Sequence, residues 1–440
     1  MNKHLLRTVV LSCVLCLMFV VSKAQWVSIP DSNFGTWLDT NGYTSCMQGS
    51  NALGWQMDTT CSAIVNAANV NCGYRGIRDL TGIQYFDNLK VLICSYNHLD
   101  SVPLLPYTLQ TLNCSANQLS ILPALSNSLT VLDCSVNLLN SLTDLPDSLT
   151  SLTCYNNQLN SLPALPNLLF YLQCSVNLFD SLPTLPNSLT YLDCTGNQLS
   201  SLPTLPNSLT FLGCNGNQLS SLPSLPDSLT LLSCYNNQLS SLPILPNLLM
   251  NLNCEDNQLS SLPILPNSLT QLRCGGNQLS GLPELPDSLF FFECTNNLNL
   301  LCLPQLKKIS EFYFYSTSIT CLPNYPESNS LSNPSLNTVP LCSFFNPNGC
   351  AFNVIIESAR ESAQFSISPN PATNSVTITV DETMLNSTLT VYDITGKKMT
   401  AVQLRTSDTR LPTSDFSNGI YFVTIENENG RTTKKLVIEK

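Results

Sequence analysis

The sequence predicts a mainly β protein: a curved solenoid with a parallel sheet on its concave side and an extended convex wall, followed by a small β-sandwich. Three observations predict it. Cysteine recurs every 20 residues from Cys94 to Cys294, and an asparagine follows each one three residues later, from Asn97 to Asn297. One template fills each interval, as in the run from Leu189 to Ser208, which reads Leu-x-x-Leu-x-Cys-x-x-Asn-x-Leu and then Leu-Pro-x-Leu-Pro. Beyond Cys350 the period disappears and short segments alternate apolar and polar residues instead.

Eleven units in unbroken register are the signature of stacked structural repeats that bury a shared core. Apolar and polar residues alternate in Leu192-Asp193-Cys194, which predicts a short strand with one buried face. Parity puts Cys194 on the same face as Leu192, inside the core, where a thiol acts as a small hydrophobe. Successive strands then pair in parallel ~4.8 Å apart, so eleven of them give a sheet on the order of 50 Å along its arc. The following Leu-Ser-Ser-Leu-Pro-Thr-Leu-Pro has no room for a helix, and its prolines fix φ and lack ladder donors. The outer wall is therefore extended, and so thin a wall bends the stack strongly. Each asparagine falls where the chain leaves the strand, placed to satisfy backbone groups that burial would orphan.

Charge and chemistry narrow the function. The chain of 440 residues has a formal charge of -11, and no Lys or Arg occurs between Val91 and Leu272. Phosphate backbones need cations, which argues against a nucleic-acid partner. The two histidines are His4 and His98, so any mechanism needing a His base rests on one residue, and His98 reads as a surface residue. Glu255 and Asp256 form an acidic step beside Glu293, but adjacent strand residues point to opposite faces and no acid–base pair is defined; a solvated surface is expected. No Cys-x-x-Cys pair occurs after Cys16, so no metal site is expected. The reading is of a protein that is not an enzyme and holds no cofactor.

Residues 1–24 read as a signal peptide: Lys3 and Arg7, an apolar stretch from Val9 to Val21, and Ala24 before Gln25. Cys13 and Cys16 go with it. Cys72 lies in a divergent strand that begins the ladder, so twelve of the 20 cysteines belong to the ladder. Six others are left: Cys46, Cys61, Cys302, Cys321, Cys342 and Cys350. Three disulfides are expected, each cysteine with its neighbour in that order, closing the solenoid ends of an exported protein. Sequence alone does not fix the connectivity.

Aromatic residues gather at outward positions of the predicted concave sheet. Tyr171, Tyr191, Phe211 and Phe291 stand three residues before a ladder cysteine, and Tyr155 and Tyr235 directly follow one. Such a stripe suits a protein partner or a sugar ring. The alternative is cross-strand stacking that only stabilises the sheet.

The template resembles the leucine-rich repeat, with Cys in place of one Leu, and its length and Leu-Pro-x-Leu-Pro motif are most similar to the short bacterial subclass of secreted effectors. That resemblance implies the same asparagine ladder; a ubiquitin-ligase domain found in some such effectors has no counterpart after these repeats. Residues from Ile29-Pro-Asp-Ser-Asn-Phe34 to Leu80-Thr-Gly-Ile-Gln-Tyr-Phe86 resemble the amino-terminal caps of bacterial surface proteins with such repeats. At the other end, Ser366-Ile-Ser-Pro-Asn-Pro-Ala372, Val376 to Val380, Leu389-Thr-Val-Tyr-Asp-Ile-Thr-Gly-Lys397, Leu411, Gly419 to Ile425 and Lys434 to Lys440 read as strands divided by turns. They resemble the carboxy-terminal sorting domain of the type IX secretion system of Bacteroidetes. This implies the type IX machinery as a partner and a protein exported through the periplasm, then secreted or held on the outer cell surface, with no transmembrane segment once the signal is removed.

The expected organisation is a signal peptide (1–24), an amino-terminal cap with the divergent strand (25–76), leucine-rich repeats (77–301), a carboxy-terminal cap with an atypical last repeat (302–350), a linker (351–365) and the sorting domain (366–440). The expected function is recognition or adhesion, through the concave face, of an unidentified protein or glycan ligand. A structural spacer of the cell envelope is the alternative.

Overall fold

A computed structural model describes residues 25–325, 331–342, 365–381, 384–394, 396–427 and 430–440. The expected signal peptide, nearly all of the expected linker and Cys350 lie outside these residues. The amino-terminal segment folds first as β1 (Trp26–Ile29), α1 (Ser32–Thr40), β2 (Met47–Ser50) and β3 (Gly54–Asp58), with the strands antiparallel in the order β1-β3-β2. Asp31 starts the helix by accepting hydrogen bonds from the Asn33 and Phe34 amides at 2.8 and 2.9 Å, which satisfies donors that a first turn leaves open. Phe34, Trp37 and Leu38 then bury one face of α1. A disulfide joins Cys46 to Cys61, just before the short α2 (Ser62–Val65).

The ladder begins with β4 (Asn69–Asn71) and β5 (Val91–Ile93), continues with a three-residue strand every 20 residues from β6 (Thr111–Asn113) to β16 (Glu311–Tyr313), and ends with β17 (Leu331–Asn333). All fourteen lie in chain order in one parallel sheet. Register is exact by repeat, so Leu192 pairs with Leu172 on one side and Leu212 on the other. Because each buried residue stacks on its own copy, Leu189, Leu192, Cys194 and Leu199 are all fully buried. Between β5 and β16 the connections contain neither helix nor further strand, so the convex wall is extended, as the paired prolines require.

At its carboxy-terminal end the ladder goes on without cysteine, and the disulfides differ from expectation. The sheet runs on past Cys294, because Phe314 occupies the slot of the next ladder cysteine and packs its ring 4.5 Å from Phe312, which stacks 5.2 Å from Phe292. Aromatic bulk replaces the thiol there, so a count based on cysteine stops too early. The end disulfides also differ: Cys302, Cys321 and Cys342 are all disulfide-bonded, but Cys321 joins Cys342. The expected Cys302–Cys321 and Cys342–Cys350 pairs are therefore not formed. A parallel bridge between Leu322 and Leu341 brings the segments that carry Cys321 and Cys342 side by side, a neighbourhood that spacing along the chain does not show.

A second compact unit runs from Cys342 to Lys440. Its strands are β18 (Ser366–Ser368), β19 (Ser375–Thr379), β20 (Thr388–Asp393), β21 (Lys398–Gln403), β22 (Asp408–Pro412), β23 (Gly419–Asn427) and β24 (Gly430–Ile438). They form two antiparallel sheets, β18-β19-β22 and β21-β20-β23-β24, around one core that includes Val376, Leu389, Val423 and Leu436. The segment from Leu389 to Lys397, read from the sequence as one strand, is β20 followed by a turn in which the Asp393 carboxylate accepts from the Lys397 amide at 3.0 Å. The Pro-Asn-Pro motif also has a mechanical role. Asn370 donates to the Lys435 carbonyl and accepts from the Val437 amide, both at 2.8 Å, tying the start of the domain to its last strand.

Candidate functional site

The solenoid presents its outward side chains on a frame held by two buried ladders. In the middle repeat, the Asn197 amide nitrogen donates to the Cys174 and Cys194 carbonyls at 3.3 and 3.0 Å, and its oxygen accepts from the Phe179 amide at 3.2 Å. The same pattern recurs from Asn97 to Asn297. Each asparagine thus bonds backbone of its own repeat and of the one before, groups that would cost about 1–3 kcal/mol each if left buried and unpaired. The thiols beside them are unreactive. All twelve from Cys72 to Cys294 are reduced and buried, and burial pushes Cys154 and Cys234 up to about 12, far from the thiolate that chemistry would need. Among the described residues no cluster could hold a metal ion, and no helix is long and apolar enough to cross a membrane.

Two more ladders went unnoticed in the sequence. Ser188, six residues before its cysteine, donates to the Asn167 and Leu169 carbonyls at 2.8 and 2.7 Å, and Thr190 donates to the Phe170 carbonyl at 3.0 Å. Their recurring Ser and Thr could have shown these ladders as readily as the asparagines showed theirs.

On the concave face the structure brings three of the six candidate aromatics together. Tyr171, Tyr191 and Phe211 pair in register on β9 (Tyr171–Gln173), β10 (Tyr191–Asp193) and β11 (Phe211–Gly213). Their rings stack with centroids 4.4 and 4.2 Å apart and planes within 13°. Those separations are shorter than the ~4.8 Å between strands, as side chains on the inside of a bend should be. All three rings are half-buried. Burial first, then Tyr171 and Asp193, pushes the Tyr191 phenol up to about 12, so the stack stays neutral. The other candidates stand apart. Tyr155 and Tyr235 lie four repeats from each other, roughly 19 Å along the sheet. Phe291 is four strands beyond Phe211 and packs instead under Arg273, at 4.4 Å, and beside Tyr313, at 5.8 Å.

The acidic residues near Phe291 depart from expectation. Glu255 and Glu293 were read as solvated and unpaired, yet they face one another across the intervening strand. Burial first, then the Glu293 charge and a hydrogen bond to it, raises the Glu255 carboxyl to about 7, while Arg273 lies 3.9 Å from Glu293. The repeat between them has no side chain at Gly275, where a Cβ would sit 2.8 Å from Thr295 Oγ1 and 3.6 Å from Glu255 Oε1. That opening lets residues two repeats apart meet, a contact invisible when each strand is read singly. His98 is exposed, as expected.

A further feature lies at the edge where the chain leaves each strand. The residue two places after every ladder cysteine is left-handed, from Tyr74 (φ 59) through Val136 (φ 53) and Val176 (φ 53) to Gly216 (φ 63) and Asn296 (φ 53). Glycine and asparagine tolerate this conformation, whereas a β-branched residue there is strained by about 1–2 kcal/mol. From Gly196 onward the ladder uses Gly, Asn or Asp; before it stand Tyr74, Tyr96, Ala116, Val136, Asn156 and Val176. Aligning the repeats would have exposed this asymmetry, but the left-handed backbone that gives it meaning is not written in any one residue.

Comparison with known proteins agrees with this architecture. Residues 366–439 match the secretion system C-terminal sorting domain. YopM from Yersinia enterocolitica WA-314 is similar over 61% of this chain, at 34% identity and a TM-score of 0.50. The chain spans 59% of that protein's length. A domain of InlJ from Listeria monocytogenes, described as functional and as including a cysteine ladder, shares the fold over 95% of this chain and 100% of its own, with a TM-score of 0.54 at 22% identity. Among curated proteins, none matches the chain. The sorting domain addresses the chain to the cell surface or the exterior and its C-terminus to the secretion machinery. Repeat frame and terminal domain together make this chain a leucine-rich-repeat protein with a type IX secretion-system C-terminal sorting domain.

Proposed function

We propose that the chain recognises a protein or glycan ligand through the concave face of its solenoid, centred on Tyr171, Tyr191 and Phe211, and that it catalyses no reaction. One observation carries this reading: a frame repeated residue for residue every 20 positions bears outward side chains that vary, and at its middle they converge on a neutral, preordered stack of rings. Rigid aromatic surface of this kind gives binding energy at little entropic cost. The test is binding of the exported protein to arrays of glycans and of surface proteins, with Tyr171, Tyr191 and Phe211 changed together to Ser in a control that still folds. Ligands lost in the control support recognition through the stack; ligands retained in full would remove it from the site.

A second reading, a structural spacer of the cell envelope, draws on the stacking itself, since half-buried rings that contact one another also stabilise the sheet. It predicts that neither protein binds any arrayed ligand.

A further inference from the structure

We propose that the strand-exit edge of the solenoid from Tyr74 to Leu178 docks an extended apolar segment of a partner protein, with an acidic residue of that segment against Arg75 and Arg78. This surface is distinct from the concave stack and does not depend on it.

Four observations converge on this edge. The left-handed slot holds tyrosine or valine at Tyr74, Tyr96, Val136 and Val176, against its backbone preference. Three of these side chains stand out of the core, with Tyr74, Tyr96 and Val176 71%, 53% and 52% exposed, and Val136 is half-buried. Two places further on, where most repeats have Gln, the repeats with valine carry leucine, and Leu138 and Leu178 are 49% and 48% exposed. That slot is Gln from Gln198 to Gln278 and apolar again only at Leu298. The N-terminal end of the edge is finished by Tyr74 and Tyr96, whose rings stack at 4.2 Å and 10°.

Charge identifies the occupant. Arg75 and Arg78 follow Tyr74 and are exposed, and with Lys90 they are the only Lys or Arg from Gln25 to Leu272. Neither forms an ion pair among the described residues; the Asp31 carboxylate nearby is engaged by the Arg78 backbone amide at 2.6 Å. In an otherwise acidic chain this pair is a local match for a carboxylate. From β4 to β9 there are five strand steps, roughly 24 Å, the reach of an extended peptide of about seven residues. Aliphatic Val and Leu at one end and cations at the other suit a polypeptide, whereas a glycan would call for flat rings or polar groups throughout.

The test pans a displayed library of random heptapeptides on the intact protein and measures a synthetic copy of the most enriched peptide by fluorescence anisotropy. The expected winners carry Asp or Glu at one end followed by apolar residues. Their affinity should fall about tenfold or more in R75E/R78E, in Y74S/Y96S and in V136N/V176N. It should be unchanged in Y171S/Y191S/F211S, which separates this edge from the concave reading. V136N/V176N suits the slot's backbone better, so a loss there does not reflect misfolding. No enrichment, enrichment without acidic residues, or affinity retained in the three edge variants would each overturn the proposal.

Discussion

At Cys134 and at Cys254 the repeat frame is the same. Both thiols are fully buried. Asn137 bonds the Cys114 and Cys134 carbonyls at 3.1 and 3.0 Å, and Asn257 bonds those of Cys234 and Cys254 at 3.1 and 3.2 Å. Two residues past the thiol the halves part: Val136 and Asp256 hold nearly the same left-handed φ, 53° and 50°, but only Asp256 suits it. A residue that works against its own backbone and is absent from the other half is poorly explained by the frame. Outward departures from a uniform frame are where partners should be sought.

The largest expected effects test whether the frame is uniform. Asn137→Ala and Asn257→Ala should each destabilise the protein by roughly 2–4 kcal/mol, because each strands several buried backbone groups. Urea unfolding should show the two losses to be alike; a twofold disparity would mean that the halves are not built on one frame. Tyr191→Ser removes a ring stacked on both sides and should cost about 1–3 kcal/mol. Tyr235→Ser, at an outward site with no stacked ring among the described residues, should stay within ~0.5 kcal/mol. Equal losses at both would show that the stack adds nothing to the sheet. Gly216→Val, which copies Val176 into the second half, should cost about 1–2 kcal/mol; a neutral result would mean the left-handed slot is not selective.

A pH-dependent effect concerns the acidic pair. Burial and Glu293 raise the Glu255 carboxyl to about 7, above its value in an unfolded chain, so the folded state favours the proton. The stability linked to that proton is fully present below about pH 4.5 and is lost as pH rises toward 7. Glu255→Gln should flatten the profile across this window in thermal unfolding. An unchanged slope would show that Glu255 is not the group responsible.

Period and parity made the frame legible before any coordinates. Cysteine and leucine recur because they are buried in every repeat, and asparagine because it bonds the backbone of every repeat, so their roles are written in their spacing. Phe314 was missed because the slot kept its place while its residue type changed. The Cys321–Cys342 link depends on how the terminal strands lie beside each other, which spacing does not reveal. Of the candidate aromatics, Tyr171, Tyr191 and Phe211 were placeable together because they share one template position on successive strands. Tyr155 and Tyr235 share a position too, but four repeats part them. Glu255 and Glu293 meet only because Gly275 leaves a gap, a fact of three strands at once. The left-handed slot was readable as a preference for Gly, Asn and Asp, yet its violations carry meaning only once φ is known.

The most direct test of the central claim is the unfolding free energy of the V136N/V176N double variant against the parent protein. If the two valines serve a partner and not the frame, asparagine relieves the backbone at both sites and the variant gains about 2–4 kcal/mol. A loss of stability would contradict this account, because it would show that the valines help hold the solenoid together.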